Sequence, residues 1–347
     1  MASRLSKDKA QKILIQPDIS PSASTIIHFL SAHNISAREE NGMVWIDQVS
    51  AEQLITLLYQ ELALSIEEKN SLRLLVLEQQ EQFGFEYLQR FRSLNRWYQV
   101  FNAQDLLYII ESKSVLVEFQ PIISLCTHQV YGYECLMRGL GQNGEVISPA
   151  KVFSQAKEMD LIFNLDRVVR EQIIRAAHAN QVPGYIFINF LPNSIYDPET
   201  CLKTTMRVVE ELGLNPEKLV FEVVESERFE NTNLLKDILQ YYHTKGVRTA
   251  LDDVGSGYSS LNTLAKLKPD IMKIDRELIQ NIHEEPIKQS IFRALQDVAR
   301  ENNITILAEG IETKEELDFF KAHDVDLVQG YYFSKPRTYP DYQLDSQ

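Results

Sequence analysis

The sequence predicts an α/β chain in which a (β/α)8 barrel of the TIM type follows a smaller N-terminal domain. From about residue 115 onward, short apolar segments rich in β-branched residues alternate with segments of helical period. Eight such strand candidates fit within roughly 225 residues, the length of one barrel. Most are apolar throughout, as strands buried on both faces must be. A doubly wound open sheet is the structural alternative, but its Gly-rich dinucleotide fingerprint is absent.

The predicted barrel strands are Phe119–Leu125, Val130–Leu136, Tyr185–Phe190, Leu219–Val224, Thr249–Asp253, Ile271–Ile274, Thr305–Ala308 and Leu327–Gly330. Between them, Val168–Ala177 places Val169, Ile173 and Ala177 at helical spacing with Arg and Glu between. Leu234–Tyr242 and Ile291–Arg300 share that pattern. The N-terminal domain, residues 1–85, reads as a small α/β or mostly helical unit. Its expected elements are strands at Ile13–Ile15 and Met43–Ile46 and helices at Thr25–Leu30, Ala51–Leu64 and Glu68–Glu78. Residues 86–111 predict a helical connector, because Leu88, Phe91, Leu94, Tyr98 and Phe101 recur on one helical face. That stripe suits either a protein partner or packing within the chain. The barrel is assigned residues 112–347.

The chain has 347 residues and a formal net charge of −14. Residues 1–110 hold ten Lys and Arg against thirteen Asp and Glu, so about −11 lies in the remainder. Such a surface repels phosphates and predicts no duplex nucleic acid partner. No apolar run approaches the length of a membrane span. Met1–Lys12 lacks a signal-peptide core, and the expected location is cytoplasmic. Cys126, Cys135 and Cys201 form no C-x-x-C pair and read as free thiols.

The informative feature is what stands at the strand ends. Glu134, Asn189, Glu222 with Glu225, Asp252 with Asp253, Lys273, Glu309 with Glu312, and Gln329 close successive strand candidates. Any one of them alone reads equally as a structural ion pair. Seven in succession converge on one mouth, because barrel strands direct their C-terminal ends there. Clustered buried carboxylates require cations or shared protons. Oxygen donors without His or Cys suit Mg²⁺, Mn²⁺ or Ca²⁺. Adjacent Asp252 and Asp253 should diverge and serve two metals, as in sites that catalyse in-line displacement at phosphorus. The Gly255-Ser256-Gly257 turn beside them reads as a bendable loop that helps order the site.

These motifs resemble, in order, those of the EAL family of cyclic di-GMP phosphodiesterases. The resemblance spans roughly residues 115–340. It runs from Phe119-Gln120-Pro121 through Glu134-Cys135-Leu136-Met137-Arg138, Asn189, Phe221–Glu225, Asp252–Leu261, Lys273-Ile274-Asp275 and Ala308–Thr313 to Gln329-Gly330-Tyr331. It implies a modified barrel with an antiparallel first strand. It also implies hydrolysis of cyclic di-GMP to linear pGpG by in-line attack of a metal-bound hydroxide, with two Mg²⁺ or Mn²⁺ per site and inhibition by Ca²⁺.

By the same resemblance, Glu134, Asn189, Glu222, Asp252 and Asp253 are metal ligands and Lys273 lies beside the attacked phosphate. Glu309 is general base or metal-site residue, a choice the resemblance leaves open. Arg138, Gln120 and Asp166 correspond to substrate-side positions. Glu225, Glu312 and Gln329 support the loop and the metal-bound water. A homodimer near the Val254–Leu261 loop is expected. Three departures stand out: Cys135 replaces the signature alanine, Val254 a phenylalanine, and Gly139 follows Arg138. None removes a ligand. The competing reading is an inactive EAL barrel that binds cyclic di-GMP or a protein. A different metal phosphoesterase or TIM-barrel lyase is a third.

Overall fold

The computed structural model describes residues 10–17, 21–81, 83–191, 198–224, 232–255 and 260–340. The chain divides into two compact units. One comprises Met1–Leu107 with Gln155–Met159, the other Tyr108–Ser154 with Asp160–Gln347.

The N-terminal unit contains strands β1 (Gln11–Gln16), β2 (Ala37–Glu40), β3 (Met43–Val49), β4 (Arg73–Glu78) and β5 (Arg92–Ser93). They form one antiparallel sheet in the order β2-β3-β1-β4-β5. Helices α1 (Ala23–Ala32), α2 (Ala51–Glu61) and α4 (Leu94–Asn102) contribute Ile26, Leu54, Leu58 and Leu94 to one core. Ser22 caps α1, and Ser65 forms a capping box with Glu68 on α3 (Ile66–Ser71). The unit is therefore α/β rather than mostly helical.

Two expectations fail here. The helix predicted over Glu68–Glu78 ends at Ser71, and Arg73–Glu78 is a strand. Its run Leu74-Leu75-Val76-Leu77 is buried on both faces: Leu74 and Val76 join the helix-side core, while Leu75 and Leu77 join Leu14 and Phe91 opposite. An apolar run of four fits a buried strand and a helix equally in sequence. The single connector helix is likewise divided. Phe85–Arg90 is a 3-10 turn, β5 follows, and α4 stops before α5 (Gln104–Ser112). Leu94 and Phe101 of the predicted stripe are buried in the N-terminal unit's own core, and Tyr98 packs against it.

The second unit is a closed barrel. Its strands are β6 (Val115–Ser124), β7 (Gln129–Leu140), β9 (Tyr185–Phe190), β10 (Leu219–Val224), β11 (Arg248–Val254), β12 (Ile271–Ile274), β13 (Thr305–Ala308) and β14 (Leu327–Val328). The short β8 (Val146–Ile147) hangs outside on β7. Strands β7 and β9 to β14 pair in parallel, and β6 closes the barrel antiparallel to both β7 and β14. Helices α7 (Ile162–Ala179), α9 (Thr232–Thr244) and α12 (Pro286–Asn302) contain the predicted helical segments. Pro286 opens α12, and Asn303 in the left-handed conformation closes it. No helix among the described residues is long and apolar enough to cross a membrane.

Candidate active site

The period of two in a β-strand builds the site. Ile122, Phe187, Val220, Ala250, Ile271, Leu307 and Leu327 form one apolar cluster contributed by seven strands of the barrel. Two residues further toward the mouth, the same strand faces present Gln120, Asn189, Glu222, Asp252, Lys273, Glu309 and Gln329. The offset runs backward on β6 because that strand is antiparallel. An apolar floor thus carries a polar ring one step above it.

The ring opens into a cavity of about 310 Å³ lined by Gln120, Glu134, Asp252, Asp253, Lys273, Arg276, Glu309, Gly310, Glu312, Gln329, Gly330 and Tyr331. Lys273 Nζ lies at its base, 2.7 Å from Glu222 Oε1, 2.8 Å from Glu309 Oε1, 3.1 Å from Asp252 Oδ1 and 3.9 Å from Glu134 Oε1. Gln329 Nε2 donates to Glu134 Oε2 at 2.6 Å, and Asn189 Nδ2 donates to Oε1 at 3.2 Å. Both oxygens of Glu134 are therefore oriented.

Charge in this ring is unbalanced. Glu134, Glu222, Asp252 and Glu309 face one ammonium. Burial opposes charge on Lys273, but Asp252, Glu222, Glu309 and Glu134 outweigh it and hold the lysine pKa well above its usual value. Burial pushes the Glu222 and Glu309 carboxyls well up despite the pull of Lys273. Asp253 is raised to about 6, by burial first and then by Asp252 and Asp275.

Adjacent Asp252 and Asp253 both line the cavity, although in a regular strand one of the two would face away. The cause is a β-bulge. Leu251 pairs with Met272 and Val254 with Ile274, so two residues of β11 oppose Lys273 alone. Asp253 takes φ +58, and its backbone N–H donates to Asp252 Oδ1 at 2.9 Å. A bulge re-aims a side chain that would otherwise face away.

The donor set suits divalent cations. Neither oxygen of Glu222 accepts a hydrogen bond of good geometry, although Oε1 lies close to Lys273. A fully buried carboxylate oxygen without a donor needs a positive partner. Among the described residues, no three Asp, Glu, His or Cys side chains are already gathered into a metal cage. Lys273 occupies the point on which the acids converge.

Residues 103–336 match the EAL domain family. The chain belongs to that family. It is 34% identical over 236 residues to the probable cyclic di-GMP phosphodiesterase PdeG of Escherichia coli K12, a match covering 67% of this chain and 46% of that one. The chain spans less than half the length of the first curated relatives it matches. A standalone versatile EAL protein from Vibrio cholerae O395, solved in its c-di-GMP-bound form, is 38% identical with TM-score 0.61. That match covers 67% of this chain and 96% of that one. The Bacillus subtilis YkuI protein, solved with substrate c-di-GMP and calcium, is 26% identical with TM-score 0.60, covering 70% and 60%.

Within this EAL barrel, the expected site residues fall into groups. Gln120, Glu134, Asp252, Asp253, Lys273, Glu309, Glu312 and Gln329 line one cavity, and Asn189 and Glu222 bond to its members. Arg138 does not line it. Its Nη2 pairs with Glu118 Oε2 at 2.8 Å, and Nη1 donates to the Met137 carbonyl at 2.9 Å. Asp166 is buried on α7, where Arg170 Nη2 lies 2.8 Å from its carboxylate. That places it in a structural pair and not on the cavity wall. Glu225 lies outside the described residues, as does the loop centre 256–259. Glu312 pairs with Arg276 at 2.8 Å.

Sequence reasoning passed over Arg276 and Glu316. Glu316 is buried and accepts from the backbone N–H groups of Asn281, Glu312 and Thr313, tying down the turn that carries Glu309 and Glu312. The capping box Thr313-x-x-Glu316 was its readable signal. Arg276 has only its position, three residues after Lys273.

Proposed function

We propose that this chain is a divalent-cation-dependent phosphodiesterase that opens cyclic di-GMP to linear pGpG. The observation that carries the reading is the ring of acids around Lys273. Every position that the EAL resemblance assigns to metal or chemistry holds the required residue type, and the ring joins Glu134, Asn189, Glu222, Asp252, Lys273, Glu309 and Gln329. The names of the E. coli and V. cholerae relatives support the substrate.

When bound, two Mg²⁺ or Mn²⁺ ions supply acidified water and offset the charge of carboxylates and phosphate. Glu134, Asn189, Glu222, Asp252 and Asp253 are the residues that would hold them. Asp253, whose carboxyl is raised to about 6, would have to be ionised to hold a cation. Lys273 donates to the phosphate oxygen on which charge develops. Glu309, next to Lys273, would orient the attacking water or, once ionised, accept its proton. Gln329 and Asn189 fix the orientation of Glu134, as outer hydrogen bonds do around metal ligands. Gln120 offers a neutral amide to the substrate from the cavity wall. Arg138 reaches a phosphate only after leaving Glu118.

The test is chromatography of cyclic di-GMP incubated with the purified chain and Mg²⁺. Conversion to pGpG supports the reading. Binding without conversion would make the barrel a receptor instead.

A further inference from the structure

The geometry points to Arg276 as the residue that receives the uncleaved phosphodiester of the substrate, held ready by Glu312 and Gly310. This deepens the reading proposed above and rests on it for the identity of the substrate.

The cavity wall contains five carboxylates and two cations. Lys273 is buried at the base with acids around it. Arg276 is the other cation, and its side chain is 53% exposed. A cyclic dinucleotide carries two anionic phosphodiesters. One must lie over Lys273 to be cleaved. The other enters a mouth whose remaining charges are negative, and Arg276 alone among the lining residues can offset it there. A guanidinium also matches phosphate geometry through its planar fork.

Two features show that the arginine is positioned. Glu312 Oε1 holds Nη2 at 2.8 Å. The stem of Arg276 lies flat on Gly310, where an added Cβ would meet Arg276 Cγ at 2.5 Å and Cβ at 2.7 Å. Gly310 also sits at φ +73, a conformation that disfavours any side chain. The turn after β13 thus leaves a slot for this side chain. The cost of ordering a long cation is then met before substrate arrives.

The experiment measures hydrolysis and equilibrium binding of cyclic di-GMP by wild type, Arg276→Ala, Arg276→Lys and Arg276→Gln, with folding checked by thermal melts. Arg276→Ala should raise KM and weaken binding by roughly 10- to 100-fold, with the loss in KM and not in kcat. Lysine should recover part of the loss because it keeps the charge, and glutamine should not. In a double-mutant cycle, Arg276→Ala and Glu312→Ala should be strongly non-additive. A KM within twofold of wild type overturns the inference. Recovery by glutamine equal to that by lysine also overturns it, since a neutral base edge would then be the partner. Additive effects remove the positioning role of Glu312. If wild type binds without hydrolysis and Arg276→Ala loses that binding, the inference stands while the phosphodiesterase reading falls. If wild type neither binds nor hydrolyses, both fall.

Discussion

Glu222 Oε1 and Lys273 Nζ stand 2.7 Å apart inside the barrel, with the glutamate fully enclosed and the lysine 1% exposed. An ion pair this deep is stable only while both charges are present or both are neutralised.

Removing the lysine therefore has two consequences. Lys273→Met should abolish most turnover, because nothing else at the base of the cavity donates to the phosphate. It should also destabilise the metal-free protein, most at high pH, where the acids left without Lys273 cannot protonate. Chemical denaturation in EDTA measures this, and added Mg²⁺ should return part of the loss. An unchanged denaturation midpoint in EDTA would mean that the acids do not depend on Lys273.

In the function proposed above, Gln329 acts through Glu134. Its amide donates to Glu134 Oε2 at 2.6 Å. Gln329→Ala should require a higher Mg²⁺ concentration for half-maximal rate and lower turnover by roughly 10- to 100-fold, the range for an outer-shell partner of a metal ligand. An unaltered Mg²⁺ titration would separate Gln329 from the metal site.

Stability should depend on pH through Asp253. Its folded pKa is raised to about 6, by burial first and then by Asp252 and Asp275. The protonated form is thus favoured by folding. Its contribution to stability is fully present below the ordinary carboxylate range, near about pH 4, and is lost as pH rises through about 6. Glu222 and Glu309, raised chiefly by burial, act in the same direction. In EDTA, wild type should lose stability relative to Asp253→Asn between about pH 4 and about pH 6. A difference that stays constant across that interval would contradict the assignment.

Glu316 should matter to stability more than its distance from the chemistry suggests. It accepts two backbone N–H groups, of Glu312 and Thr313, in the turn between β13 and α13 (Lys314–Ala322), and a third from Asn281. Backbone donors left unpaired by Glu316→Ala cost about 1–3 kcal/mol. Thermal denaturation should show that loss, and turnover should fall with it because Glu309 and Glu312 ride on the same turn. Glu316→Gln, which keeps one acceptor oxygen, should lose less.

The barrel was legible because its strands are apolar on both faces and short. The bounds of β9, β10, β12 and β13 match those expected, residue for residue. The polar ring was legible for the same reason: a charged residue ending an apolar strand has no other reading that covers seven strands. The pairing of Asp252 with Asp253 on one wall was not, because a bulge depends on the register with β12. Strand β4 was misread because four consecutive apolar residues carry no period. Asp166 was misplaced although Arg170 follows at i+4, the spacing of a helical ion pair. Arg138 pairs with Glu118 across the β6–β7 hairpin, a contact that only strand register creates.

The most direct test of the account is the steady-state rate of cyclic di-GMP hydrolysis by the purified chain in Mg²⁺, in EDTA and in excess Ca²⁺. The account predicts pGpG formation in Mg²⁺ or Mn²⁺, none in EDTA, recovery when Mg²⁺ is returned, and inhibition by Ca²⁺, whose looser coordination positions a nucleophile poorly. Undiminished hydrolysis in EDTA, or no hydrolysis under any of these conditions, would contradict it.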